Sequence, residues 1–259
     1  MAPVRTLERG LRILDRVIAD DKPLRLRDVA DAFDIDRAMA FRFLQTLCEF
    51  GLLHKDAKTK DYSLGGHFYS WMIRARQRLD VAEALRPYLA EVVRRTEQSA
   101  HLGMLVDDQV LLVDFVPSDS LISVNNRIGV LEPVYCTAIG KAIASTMPAT
   151  ERDALIGSLD LVRHSPRTIV DAKALRTHLI KVARDGFAVD DGEFNELLVC
   201  VAVPLDLPDV QPALSIGVSM IRPVVVNDGE IVGRVTAELK AVAAEIGKQH
   251  RRGGRRPPG

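Results

Sequence analysis

The chain has 259 residues, of which 47% are hydrophobic, with 35 basic and 35 acidic side chains. That length and apolar content provide for one large or two modest domains and exclude disorder over most of the sequence. The formal charge of zero hides an asymmetry: residues 1–76 carry 14 Lys/Arg against 11 Asp/Glu, residues 77–247 carry 16 against 24, and residues 248–259 carry five against none. A sign change between segments bears on partners, which the net figure does not.

Leu7, Leu11, Leu14 and Ile18 recur at helical spacing, so residues 4–19 read as an amphipathic helix. Asp20-Asp21-Lys22-Pro23 ends it. Leu26, Val29, Ala30 and Phe33 mark a short second helix. Asp36 is placed to N-cap a third from Arg37, with Ala40, Phe43, Leu44 and Leu47 on its buried face. Gly51 suits the left-handed position after that helix. Leu52–His54 and Tyr62–Leu64 read as two strands around the polar tip 56–61. Three helices and a hairpin, with a very short turn between the last two helices, predict a winged helix-turn-helix over 1–66. Phe68–Leu79 reads as a linker helix within 67–80, and its Trp71, the single tryptophan, is assigned to packing.

Beyond it, Val81–Thr96 reads as helical, and strands are predicted near 100–106 and 109–116, turned by Asp107-Asp108. Helices follow at 137–146, 149–157 and 172–185, the last capped by Asp171 and closed by Gly186. Strands return at 198–204 and 213–220 before a final helix over about 230–248. The interleaving predicts an α/β domain over 81–249, and the whole chain is therefore of the α+β class. Residues 250–259, rich in Arg, Gly and Pro, read as a disordered basic tail. The strongest apolar run, Leu197–Leu205, is far below the roughly 18–20 residues of a membrane span, and Met1–Gly10 lacks the apolar core of a secretory signal. Cys48, Cys136 and Cys200 form no CxxC. A reduced, cytoplasmic protein without a membrane partner is expected.

On the third helix, the buried stripe turns Arg37, Ala38, Phe41, Arg42 and Gln45 outward at the N-terminal half, the part of a recognition helix that meets base edges. Arg reads guanine bidentately, Gln reads adenine, and Phe or Ala meets a thymine methyl. Arg5, Arg25 and Arg27, with Lys55, Lys58 and Lys60 on the wing, are candidates for phosphate contacts. An enzyme is the competing reading. It needs a nucleophile with a positioned base, or clustered metal ligands, and none of the six histidines sits in such a spacing. His101, on an apolar strand, reads as a core residue; Asp190, Asp191 and Glu193 read as a solvated acidic turn rather than a metal site. No catalytic residue, metal or cofactor is assigned.

Five ordered blocks carry a family resemblance. They are Arg9-Gly10-Leu11-Arg12-Ile13-Leu14; Arg42-Phe43-Leu44-Gln45-Thr46-Leu47 with Gly51; Tyr62-Ser63-Leu64-Gly65; Tyr135-Cys136-Thr137-Ala138-Ile139-Gly140-Lys141-Ala142; and Gly186–Asp191 continuing through Val199–Pro204. Together, over about residues 4–248, the chain resembles the IclR family of bacterial transcriptional regulators. Short strings such as Ala213-Leu214-Ser215-Ile216-Gly217 look like its branch controlling aromatic-acid catabolism. The resemblance implies a winged-helix DNA reader, a linker helix that mediates dimerisation, and a GAF-like effector domain. Such a protein acts as a homodimer or homotetramer on a palindromic operator. It further implies a small organic or aromatic acid as effector, held around Val134, Ala138, Ile139, Asp190, Leu198, Cys200, Ser215, Gly217 and Ser219. The free N–H groups at the start of a helix over Ala138-Ile139-Gly140 suit a carboxylate. Two positions depart from the family pattern, Gly192 in place of Glu and Leu197 in place of Gly, and the bulky Leu197 implies a reshaped or smaller pocket.

Overall fold

The computed structural model describes residues 4–20, 22–76, 80–121, 123–207, 210 and 212–253, and the chain divides into two compact units, Met1–Asp80 and Val81–Gly259. The first contains α1 (Arg5–Ala19), α2 (Leu26–Ala32), α3 (Arg37–Glu49), β1 (Leu53–Lys55), β2 (Tyr62–Leu64) and α4 (Gly66–Arg76). Asp36 caps α3, its carboxylate accepting the Met39 N–H at 2.7 Å. Gly51 lies just beyond the helix with φ +67, and the two wing strands pair antiparallel from Leu53↔Leu64 to Lys55↔Tyr62. A bridge between Leu24 and Tyr62, absent from the sequence reading, ties the wing to the entry of α2.

The core of this unit gathers Ile13, Leu14, Val17, Val29, Ala40, Leu44 and Tyr62. The helix read over residues 4–19 is present as α1, Arg5–Ala19. The helix is apolar on two faces, and the one that meets α3 is Ile13, Leu14 and Val17; Leu7, Leu11 and Ile18 remain exposed. Trp71 is also not packed within the unit. It is 55% exposed on α4, beside exposed Met72 and Ile73. The predicted linker helix ends at Arg76, and 77–79 lie outside the described residues.

The second unit contains α5 (Asp80–Thr96), β3 (Ser99–Val106), β4 (Gln109–Val116), β5 (Leu131–Pro133), α6 (Ala138–Thr146), α7 (Ala149–Ser158), α8 (Ala172–Asp185), β6 (Ala188–Asp190), β7 (Leu198–Pro204), β8 (Leu214–Ile221), α9 (Arg222–Asn227) and α10 (Ile231–Gly253). Its strands form one six-stranded sheet in the order β5-β4-β3-β8-β7-β6, antiparallel throughout. Strand alternation sorts the side chains. Leu102, Val201, Val203, Ile216, Val218 and Met220 pack with α5 and α10. Ala202 and Ala188 face α6 and α8 on the other side. Short β5 and β6 and helix α9 lack a sequence signal of their own and were not predicted. The tail expectation is corrected as well: α10 continues through Gly253, and Arg251 pairs with Asp206 at 3.0 Å. Residues 254–259 lie outside the described residues. No described helix is long and apolar enough to cross a membrane.

Candidate functional site

The first candidate surface is the outer face of α3. Arg37, Ala38, Phe41, Arg42 and Gln45 are all exposed, because Ala40 and Leu44, one turn apart, hold the opposite face in the core. Among the described residues, neither Arg37 nor Arg42 forms an ion pair. Phe41 is not left alone in solvent: the Lys55 ammonium sits 5.4 Å from its ring centroid and 5.2 Å from that of Tyr62, a cation–π placement that joins the recognition helix to the wing. Gln45 donates to Glu49 at 3.0 Å. Arg25 reaches Asp61 at 3.2 Å and Arg27 reaches Asp28 at 3.4 Å. Such exposed pairs contribute about 0–1 kcal/mol, so a phosphate can displace either carboxylate. Lys58 and Lys60 stand at the wing tip, where Asp56 accepts the N–H groups of Lys58 and Thr59 at 2.8 and 2.7 Å and Lys60 takes φ +63.

The second site is a cavity of about 130 Å³ in the C-terminal unit, between the sheet and the first turn of α6. Six of the nine anticipated positions line it: Ala138, Ile139, Asp190, Leu198, Cys200 and Ser219. Val134, Ser215 and Gly217 do not. Val134 packs beneath α6, and the Ser215 hydroxyl donates to the Val203 carbonyl at 2.8 Å. At Gly217 a Cβ would lie 2.8 Å from His101 Nε2, so its smallness makes room for His101. That histidine, with Glu132, Thr137, Asn126, Phe194 and Asn195, completes the wall. Period-two alternation on β3 puts His101 on the face toward α6, but only the pairing His101↔Gly217 sets it beside the other lining strands. Leu197 is 72% exposed and turned away from the cavity, so it does not shrink the site. Gly192, with φ +74, bends the chain after Asp190.

Hydrogen bonds fix the cavity wall. Thr137 caps α6 by accepting the Gly140 N–H at 3.2 Å. Asp190 accepts the N–H groups of Glu193 and Phe194 at 2.6 and 3.4 Å. Ser219 links Cys200 at 3.3 Å to His101 Nδ1 at 3.4 Å. Behind the wall, Lys141 is fully buried, donates to the Val189 carbonyl at 2.7 Å and pairs with Glu193. The acidic turn is thus committed internally: Asp190 to backbone, Glu193 to Lys141, and Asp191 to Arg222 at 2.9 Å. Among the described residues no group of three or more His, Cys, Asp or Glu is arranged to hold a metal ion.

Burial pushes the Asp190 carboxyl up to about 6 and the Cys200 thiol up to about 12, and holds the His101 imidazole down to about 4. Glu132 is raised by burial and then by the charge of Asp190. Cys200 is therefore a protonated thiol and His101 a neutral ring at neutral pH. Between pH 4 and 6 the folded state retains a proton on Asp190 that the unfolded chain releases, so this group makes stability fall as pH rises. His101 acts oppositely: the unfolded chain keeps its proton up to about pH 6.5, so stability rises with pH over 4–6.5. Asp190→Asn removes the first slope while keeping an acceptor for both N–H groups. Urea midpoints at pH 4.5 and 6 are expected to show a steeper rise with pH in the variant than in the parent. An unchanged slope would show that Asp190 does not hold its proton in this range.

Comparison with known proteins places both units in one family. The family model for the IclR helix-turn-helix domain matches residues 6–57, and that for the bacterial transcriptional regulator IclR C-terminal region matches residues 73–248. The HTH-type transcriptional regulator KdgR of Escherichia coli is 26% identical over 234 residues, covering 90% of this chain and 88% of its own. The crystal structure of Thermotoga maritima IclR aligns with a TM-score of 0.75 at 23% identity, over 96% of this chain and 99% of that one. An IclR homologue from Microbacterium hydrocarbonoxydans, complexed with 4-hydroxybenzoate, aligns with a TM-score of 0.67 at 20% identity, over 91% and 99%. The winged helix-turn-helix and the sheet-and-helix C-terminal unit are the two halves of that architecture, and the chain belongs to the IclR family of DNA-binding bacterial transcriptional regulators, not to a family of enzymes.

Proposed function

We propose that this regulator binds a two-fold symmetric operator as a homodimer or homotetramer in the cytoplasm, and that a small organic or aromatic acid in the C-terminal cavity alters that binding. Residues 1–66 serve as the DNA reader, 67–80 as the linker and 81–249 as the effector domain. The observation that carries the reading is the N-terminal half of α3: Arg37 and Arg42 stand exposed and unpaired among the described residues, one helix face away from the buried Ala40 and Leu44. Desolvating such a face is favourable only against a polyanion or acceptor-rich surface, which the major groove provides. Two symmetric copies fit because dimeric helix-turn-helix proteins read half-sites one helical turn apart. Exposed Leu7 and Leu11 on α1 and Trp71, Met72 and Ile73 on α4 give apolar surface for self-association.

The acid class is supported by the lining itself, where Thr137, Ala138 and Ile139 present the N-terminal end of α6 to a small cavity. The relative from Microbacterium with 4-hydroxybenzoate bound shares the fold. Footprinting on the DNA upstream of the gene is expected to show a protected palindrome at moderate salt; no protection would sink the operator reading. Arg37→Ala or Gln45→Ala is expected to cost about 1–3 kcal/mol at one base position and relax preference there. Lys58→Ala weakens all sequences alike and lowers the salt slope by about 1. Identical behaviour of the two kinds of variant would reject the groove assignment.

A further inference from the structure

The cavity wall carries an unusual charge balance for an acid-binding site. Glu132 and Asp190 both line it, and among the described residues no Lys or Arg does. They come from β5 and β6, the two edge strands at opposite ends of the sheet order, brought to one cavity by the curl of the sheet. Asp190 spends Oδ1 on the N–H groups of Glu193 and Phe194, which leaves its second oxygen for a ligand. The Glu132 carboxyl makes no hydrogen bond to a described residue. The nearby ammonium of Lys141 is fully buried and taken by Glu193 and the Val189 carbonyl. His101 is directed at Ser219 through Nδ1, and it is held neutral by burial.

A plain carboxylate entering this cavity gains the first-turn N–H groups of α6 but meets two carboxyl groups with no cation between them, and like charges in a poorly solvated site repel strongly. A donor on the ligand reverses the sign of that contact. We infer that Glu132 sets the ligand class: the cavity takes a small acid that also carries a hydroxyl or ammonium donor. The ligand's carboxylate lies at Thr137–Ile139 and its donor lies between Glu132 and Asp190. The same acid without the donor binds more weakly. This rests on the cavity being the effector site.

The test is calorimetric titration of the full-length protein with two matched pairs, lactate against propionate and 4-hydroxybenzoate against benzoate. Within at least one pair the hydroxylated member is expected to bind about tenfold to hundredfold more tightly, the effect of one hydrogen bond to a charged group. Glu132→Leu is expected to reduce that ratio at least about fivefold. Glu132→Gln, which keeps a neutral acceptor of the same size, is expected to retain a smaller preference of about threefold to tenfold. Cooperative thermal unfolding of each ligand-free variant shows that it is folded. Equal binding within both pairs, or loss of the preference in Glu132→Gln and Glu132→Leu alike, overturns the role of Glu132 while leaving the acid-effector reading standing. Binding of none of the four acids overturns both.

Discussion

Lys141→Met is expected to lower the unfolding free energy of the C-terminal unit by about 3–5 kcal/mol, the cost of breaking a buried ion pair from one side. Lys141 is fully buried and Glu193 is only 6% exposed. Removing the ammonium leaves that carboxylate and the Val189 carbonyl without their donor. Glu193 is already poorly served, since its Oε2 has no hydrogen-bond partner, and burial raises its pKa even with Lys141 beside it. The pair is therefore costly to break yet adds little over apolar packing. Lys141→Met combined with Glu193→Leu is accordingly expected to recover most of the lost stability, a coupling that a double-mutant cycle in urea measures directly. Additive losses would show that the two side chains do not act as a pair. The contact also has a functional side. Glu193 donates its N–H to Asp190, so the single variant is expected to weaken ligand binding as the 190–194 turn loosens.

Gly65→Ala is the second large effect, this time on DNA binding. An added Cβ would lie 2.2 Å from the Gly51 carbonyl oxygen and 2.8 Å from that of Leu53. Both are backbone atoms at the junction of α3 and the wing, and neither is a flexible side-chain end that can move aside. Gly51 itself turns the chain out of α3 with φ +67, and its carbonyl accepts the His67 N–H at 3.0 Å. Gly65 in turn donates to Leu52 at 2.8 Å. Relieving the clash separates the wing from the recognition helix, at about 1–3 kcal/mol for overpacking and with at least about a tenfold loss of operator affinity if the wing lysines hold the phosphates proposed for them. Gly66→Ala is the control, because its Cβ would meet nothing within 4 Å. Titration of operator DNA by both variants, with effector binding unchanged in each, separates local wing damage from general misfolding. Equal affinities for the two would remove the close approach at Gly65 from the account.

How much of this was legible beforehand differs between the two units. In the DNA-binding unit the signals are local. Asp36 three residues before the Met39 N–H it accepts, the Ala40/Leu44 spacing and Gly51 after the helix each act within one or two turns of chain, and a sequence shows such patterns directly. Which face of α1 is buried is not such a local signal. Leu7, Leu11 and Ile18 form a valid apolar face, but which of two apolar faces is buried depends on where α3 lies. Trp71 is the same case: its apolarity was plain, its exposure was not.

In the C-terminal unit, the cavity-lining Ala138, Ile139, Asp190 and Cys200 lie within the recognisable family blocks. Glu132 sits on a three-residue edge strand with no pattern of its own, and His101 looked like an ordinary core residue because burial and cavity lining have the same strand periodicity.

By itself, then, the sequence determined the order and type of most elements, the outward face of α3 and the family, all consequences of short-range spacing and local capping. Only the tertiary structure decided what shares the cavity. The register that sets His101 opposite Gly217, and the curl that brings β5 and β6 from opposite edges to one cavity wall, depend on contacts between residues tens of positions apart. No local propensity encodes those distances, and the acidic character of the site arises from them.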